Sequence, residues 1–241
     1  MSDFPIMYVC ENEDKQIFDP EIVANFIQIA SCYLPKAVDY LKTLPPFDFG
    51  PRPSEMKGLT SMMAVEKNDK DGDYLYLGEI SKYDGTSQCG KGIRVWITGN
   101  SPAILIGWFR NGSFTGHGRN IFENSLVYYE GDFYNYKFHG QGTIKFIDNE
   151  VYTGQFRTGK RHGFGEYVHD DGKIYTGEFY EDKFHGKGKM EYTIEQYRRE
   201  GYWKNGQMEG EQTVTYKNGE VRKQIYVNYE LAEDVLVKKA D

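Results

Sequence analysis

From Tyr129 onward the chain repeats itself every 23 residues, and a period of that size confines the fold to an array of small stacked units. Residues 129–151 are YEGDFYNYKFHGQGTIKFIDNEV, the next 23 are YTGQFRTGKRHGFGEYVHDDGKI, and from 175 the chain runs YTGEFYEDKFHGKGKMEYTIEQYRR. The shared frame is Tyr, any residue, Gly, any residue, Phe, then two glycines with one residue between them. It places Tyr129, Gly131 and Phe133, then Tyr152, Gly154 and Phe156, then Tyr175, Gly177 and Phe179. The paired glycines follow each leading glycine by nine and eleven residues, at Gly140/Gly142, Gly163/Gly165 and Gly186/Gly188. The frame decays in both directions. Upstream, Gly107–Trp108–Phe109 with Gly116/Gly118 keeps the offsets, and Tyr76–Gly78 with Gly90/Gly92 gives a first unit whose turn is three residues longer. Downstream, Gly201–Tyr202–Trp203 leads to Gly210, but Gln212 stands where the second glycine belongs. Residues 221–229 keep strand character without glycines, as a terminal capping strand does.

Each unit reads as a β-hairpin. Tyr152, Gly154 and Phe156 alternate with Thr153, Gln155 and Arg157, and Gly163, Gly165 and Tyr167 alternate with Phe164, Glu166 and Val168. Period two therefore sends glycines and aromatics to one face and mostly polar groups to the other. Asp148–Asn149, Asp170–Asp171–Gly172 and Asn218–Gly219 carry the turn chemistry that joins successive hairpins. The expected fold is mainly β: an elongated, curved antiparallel sheet of consecutive hairpins, about six repeats and a capping strand over 74–229. The glycines are expected to leave slots for the Tyr or Phe rings of a neighbouring hairpin.

The flanks differ. Residues 1–73 are expected to form a helical docking segment and linker. Asp19–Pro20–Glu21 is a helix start, and Ile22, Phe26 and Ile29 follow at helical spacing. Pro35 begins a second short helix, and 45–72 reads as linker or a surface strap. At the other end, 230–241 is expected to hold a short closing helix over Glu230–Leu236.

The frame YxGxF…HGxGxY closely resembles the MORN repeat, over about residues 76–220. The resemblance implies an extended antiparallel β array used for scaffolding and protein–protein contact. Proteins of this type occur in ciliary and flagellar structures, radial spoke heads among them, in cytoskeletal scaffolds, at membrane junctions, and as appendages of lipid kinases and a lysine methyltransferase. It is a resemblance to a repeat type and transfers no single function.

Charge narrows the partners. The net charge is −7; residues 1–73 hold 7 basic and 13 acidic residues, net −6, and residues 129–219 hold 13 and 15, net −2. Neither stretch offers the basic stripe that phosphate contacts need, so no nucleic-acid partner is expected. Cys10, Cys32 and Cys89 stand at wide, irregular spacings, which fits a reducing compartment. The segment MSDFPIMYVCENEDK has no basic lead-in followed by an apolar run, so a cytoplasmic chain is expected.

Chemistry-bearing motifs are scarce. His117, His139, His162 and His185 sit beside the paired glycines. Equivalent positions one hairpin apart lie two strand spacings, about 10 Å, apart, too far to share an ion at metal–nitrogen distances of about 2 Å. Asp69, Asp71 and Asp73 around Gly72 resemble part of a calcium loop that lacks its first and last ligands. No phosphate-loop, nucleophile-elbow, zinc-protease or kinase signature occurs. The expectation is a protein without enzymatic activity, cofactor or metal.

What remains is surface. Rings at Tyr129, Phe133, Tyr152, Phe156, Tyr167, Tyr175, Phe179, Tyr192 and Trp203 form a patch that must be covered. Three covers are open: the sheet curling on itself, the chain's own helices, or another chain. Phe138 and Phe184 are partner candidates because the equivalent residue of the next unit is Arg161, and Phe26 and Ile22 are candidates on the amphipathic helix. The leading functional expectation is a structural scaffold subunit with protein partners in a ciliary, axonemal or cytoskeletal assembly, the radial-spoke type being the most concrete. The alternatives are a membrane-proximal tether binding phosphoinositides through Lys160, Arg161, Lys183, Lys187 and Lys189, or a regulatory subunit of an enzyme.

Overall fold

The structure, a computed structural model, describes residues 20–49, 60–69, 72–81, 87–98, 102–125 and 127–239, with the backbone alone at 20–22, 60–69 and 72. Cys10 and Asp71 lie outside these residues, and the side chains of Ile22 and Asp69 are likewise not described. The chain divides into two compact units, Met1–Lys137 and Phe138–Asp241.

The first unit carries α1 (Pro20–Ser31), α2 (Pro35–Thr43), β1 (Thr60–Asp69), β2 (Gly72–Ser81), β3 (Gln88–Trp96), β4 (Ala103–Arg110), β5 (Ser113–Phe122) and β6 (Tyr128–Tyr134). The second carries β7 (Lys137–Lys145), β8 (Val151–Arg157), β9 (Lys160–Val168), β10 (Lys173–Tyr180), β11 (Lys183–Tyr192), β12 (Tyr197–Lys204), β13 (Gln207–Tyr216), β14 (Val221–Val227) and β15 (Glu230–Lys238). Within each unit the strands lie in chain order and pair antiparallel with their neighbours, and among the described residues no first strand pairs with a last, so the β structure is open. The mainly β hairpin array is therefore as the repeat requires.

The leading and paired glycines meet across each hairpin, as Gly154↔Gly165 and Gly177↔Gly188. A register shift follows the leading glycine in both hairpins. Tips such as Glu181–Asp182 (φ 46° and 70°) and Asn205–Gly206 (53° and 88°) place two successive residues in the left-handed region, the geometry of a two-residue hairpin turn.

Two flanking expectations are corrected. Part of the expected linker, Thr60–Asp69, is a strand that pairs along its whole length with β2. The expected closing helix is β15: Asn228 and Tyr229 both take positive φ (51° and 70°), the chain turns back, and its backbone groups are satisfied by β14. Ladder hydrogen bonds override the modest helix propensity of ELAEDVL. β14 and β15 thus form a further hairpin of the array.

The helices also cover a different face from the one that appeared to need it. Phe26, Ala30, Leu34, Ala37 and Val38 pack against Leu75, Leu77, Ile93, Val95, Ile104, Ile106, Ile121 and Tyr128, which alternate with the Tyr/Gly positions and so lie on the opposite face. Glu123, just beyond β5, caps α2, its carboxylate accepting from the N–H groups of Lys36 (3.3 Å) and Ala37 (2.7 Å).

Candidate interaction surface

The glycine face seals itself. Tyr152 lies over the glycine pair of its own hairpin: a Cβ added at Gly165 would come within 2.6 Å of that ring. Its hydroxyl donates to the Gln155 carbonyl at 2.8 Å. The same bond recurs from Tyr76 to Glu79 (2.8 Å), Tyr129 to Asp132 (2.9 Å) and Tyr175 to Glu178 (3.0 Å). These four tyrosines are buried, as are Phe133, Phe156, Phe179 and Trp203. Each tyrosine therefore packs in its own hairpin, whereas Phe133, Phe156 and Phe179 sit opposite Gly116, Gly140 and Gly163 of the preceding hairpin, in the neighbour's slot. Burial pushes the Tyr152 and Tyr175 hydroxyls well above their ordinary values; Arg161 pulls Tyr152 back in part.

A second recurring bond holds the bulge. The side chain after the leading glycine accepts from the N–H between the paired glycines: Glu79 from Lys91 (2.6 Å), Gln155 from Phe164 (2.8 Å), Glu178 from Lys187 (3.0 Å). Where the frame decays, the contacts are replaced. Arg199 stands in the tyrosine's place and Gln212 in that of the second glycine, and Gln212 Nε2 donates to the Tyr202 carbonyl (2.6 Å), the acceptor equivalent to those above. In the β4–β5 hairpin, Leu105 replaces the tyrosine and the buried Phe114 ring closes over Gly107 and Gly118.

Most expected partner residues are spent inside the fold. Phe26 is 8% exposed and belongs to the core under the sheet, so it is not a free docking residue. Phe184 stacks on Tyr175 with ring centroids 3.9 Å apart, and Phe138 meets Phe156 edge-on at 5.8 Å. Arg161, expected to mark a wet position, lies over Tyr167 at 4.9 Å and is only partly exposed, because a guanidinium packs on rings as another ring does. The lysines of the proposed lipid site do not form a bare cationic patch. Lys160 pairs with Glu181 (3.3 Å), Arg161 with Asp182 (3.3 Å) and Lys189 with Glu191, and Lys187 lies over the Tyr202 ring (5.6 Å). Lys183 is exposed on the same strand.

The histidines do not converge. His117 stacks on Phe47 (5.6 Å), and His162 and His185 flank Tyr180 (5.2 and 5.6 Å). Among the described residues, Glu150, His169 and Asp170 bring ligand atoms within 4.8 Å of one another. Tyr167 already donates to Glu150, and Asp170 is exposed, so the trio reads as a surface hydrogen-bond cluster.

The exposed rings lie on the other face. Phe164 is 59% exposed, Tyr180 52% and Tyr202 48%. Phe164 sits between paired glycines, where other units hold Gln141 and Lys187, and Tyr202 sits after a leading glycine, where others hold Asp132 and Glu178. That exchange of a polar residue for a ring is the sequence signal of these positions, and it lies off the glycine-face frame.

The MORN repeat family matches four consecutive segments, residues 129–151, 152–174, 175–194 and 200–221. Residues 129–221 thus hold four consecutive MORN repeats. Upstream of those segments, Tyr76 makes the same hydroxyl bond and the same glycine contact, so the MORN geometry extends to β2–β3. No curated protein matches the chain in sequence. Among solved structures it is similar to the TCP domain of SAS-4 (dCPAP) of Drosophila melanogaster, solved in complex with a proline-rich motif of Ana2 (dSTIL). That match is 14% identical, with a TM-score of 0.31, and covers 81% of this chain and 99% of that one. So loose a superposition carries no inference about this chain. MORN repeats of this kind suggest a repeat-based protein-interaction scaffold.

Proposed function

We propose that this chain is a non-enzymatic scaffold subunit that holds partner proteins against the outer face of its MORN array, in the cytoplasm, within a ciliary, axonemal or cytoskeletal assembly. The observation that carries the reading is the contrast between faces. The frame aromatics are consumed by internal packing, whereas Phe164, Tyr180 and Tyr202 stand half-exposed on the opposite face of the second unit. Large aromatics on a polar ground are the anchors that protein interfaces use. The phosphoinositide tether is less well supported, since Lys160, Arg161 and Lys189 each sit beside an acid.

Detergent extraction of native cells, followed by affinity purification of the tagged chain and mass spectrometry, tests this reading. Retention in the insoluble fraction with axonemal or cytoskeletal proteins is expected. Release with lipids and membrane proteins would instead support the tether.

A further inference from the structure

In the first unit the outer face is covered beyond the helices, and the manner of covering indicates what the second unit takes. The residue between paired glycines and the residue after the next leading glycine sit opposite each other across neighbouring strands. This gives one cross-strand row: Lys91↔Trp108 and His117↔Asp132 in the first unit, and Gln141↔Gln155, Phe164↔Glu178 and Lys187↔Tyr202 in the second. In the first unit a strap from the chain itself, residues 45–49 (PPFDF), lies on that row. Trp108 Nε1 donates to the Phe49 carbonyl (2.8 Å), and Phe49 meets the Trp108 ring edge-on (6.3 Å). Phe47 stacks on His117 (5.6 Å), and Lys91 stands over Phe49 (5.2 Å). Arg119, two residues along β5 from His117, donates to the Pro45 carbonyl (2.9 Å). Beneath the strap Trp108 is 3% exposed.

The second unit repeats this chemistry with no cover among the described residues. A cation and two rings occupy the row, as Lys187, Tyr202 and Phe164. Lys187 lies over Tyr202 as Lys91 lies over Trp108 (both 5.6 Å), and its ammonium has no ion-pair partner among the described residues. We propose that this row docks an extended segment of a partner protein built like the strap: proline followed by two phenylalanines at alternate positions. Two rings of an extended segment fall on one side, as Phe47 and Phe49 do, and a ring there can lie beside Lys187 as Phe49 lies beside Lys91. This inference rests on the scaffold reading and narrows it to one surface and one class of ligand.

The probe is a fluorescein-labelled peptide with the sequence of residues 44–49, titrated against the full chain by fluorescence anisotropy. Saturable binding is expected, weakened about tenfold or more by Phe164→Ser with Tyr202→Ser, and lost when both peptide phenylalanines are serine. Both substituted side chains are half-exposed, so an unchanged melting curve will show that the variant folds. Absence of saturable binding overturns the proposal. So does equal binding by wild type and variant, which would place the peptide on the strap's own site. If the chain self-associates and Phe47→Ser with Phe49→Ser abolishes this, the occupant is a second copy and the partner assignment falls. Affinity purification with the Phe164/Tyr202 variant separates this proposal from the scaffold reading. Partners retained by the variant leave the scaffold intact and remove this row from it, whereas selective loss of partners supports the row.

Discussion

A residue with no side chain sets the spacing of everything around it at Gly188. A Cβ there would meet the Tyr175 ring within 2.7 Å, and that ring is fully buried with nowhere to retreat. Gly188→Ala should cost about 1–3 kcal/mol by overpacking, measured by chemical denaturation. A variant as stable as wild type would show that the ring is not confined. The hydroxyls above these glycines predict the pH response. Burial raises Tyr76, Tyr152 and Tyr175, and burial beside Tyr192 lifts Tyr197 to about 12. A raised folded value means that the neutral form is preferred in the fold. Its stabilisation is complete below the unfolded value of about 10 and is lost as pH climbs through the folded values. The array should therefore resist pH up to about 10 and unfold above it. Tyrosinate absorbance and circular dichroism should change together, and ionisation of the buried rings without unfolding would contradict this. At this scale the sequence was partly legible. The glycine and tyrosine spacing predicted the slots, but the caps made by Gln155 and Glu178 were not readable, because they depend on a bulge that only the folded register creates.

At the scale of elements, strands with apolar residues at successive positions announced a sheet buried on both faces. Tyr74–Leu75–Tyr76–Leu77 and Ala103–Ile104–Leu105–Ile106 do not alternate, in contrast to Tyr152–Phe156. That pattern, set beside the amphipathic α1, marks where the helices sit, on the face opposite the glycines. Phe26→Ala should remove about 3–5 kcal/mol from the first unit by opening a cavity under the sheet. Hydrogen exchange should show lost protection in β2–β5 while β10–β13 stay protected. Uniform loss along the chain would mean that the two units unfold as one. The β12–β13 hairpin offers a sharper test, because its two departures from the frame compensate each other. Arg199→Tyr alone puts a ring where Gln212 lies, and Gln212→Gly alone leaves a hole and an unpaired Tyr202 carbonyl. Together they restore the frame, so the double variant should be more stable than the sum of the singles by about 1–3 kcal/mol. Additive losses would mean that the two positions do not share the slot.

For the whole molecule, the consequence of a repeat is sharpest in the second unit, where the hairpins carry no helical cover and rest mainly on their neighbours among the described residues. Register makes this testable. Val151 pairs with Val168 just as Ile174 does, and the glycine pairs 142/154, 165/177 and 188/201 are equivalent joins. Deleting residues 152–174 removes one complete period and connects Val151 to Tyr175, so Gly142 should face Gly177 in place of Gly154. The shortened chain should keep its β circular dichroism and a cooperative melt. Deleting only 152–168 leaves the connecting turn without its hairpin, puts the Tyr and Gly rows out of step, and should not fold. The complete deletion also takes Phe164 out of the outer row while sparing Lys187 and Tyr202, so a folded product should bind the strap peptide more weakly than the intact chain. A shortened chain that folds and binds equally well would locate the docking surface away from Phe164, whereas one that fails to fold would show that the second unit depends on more than contacts between neighbouring hairpins.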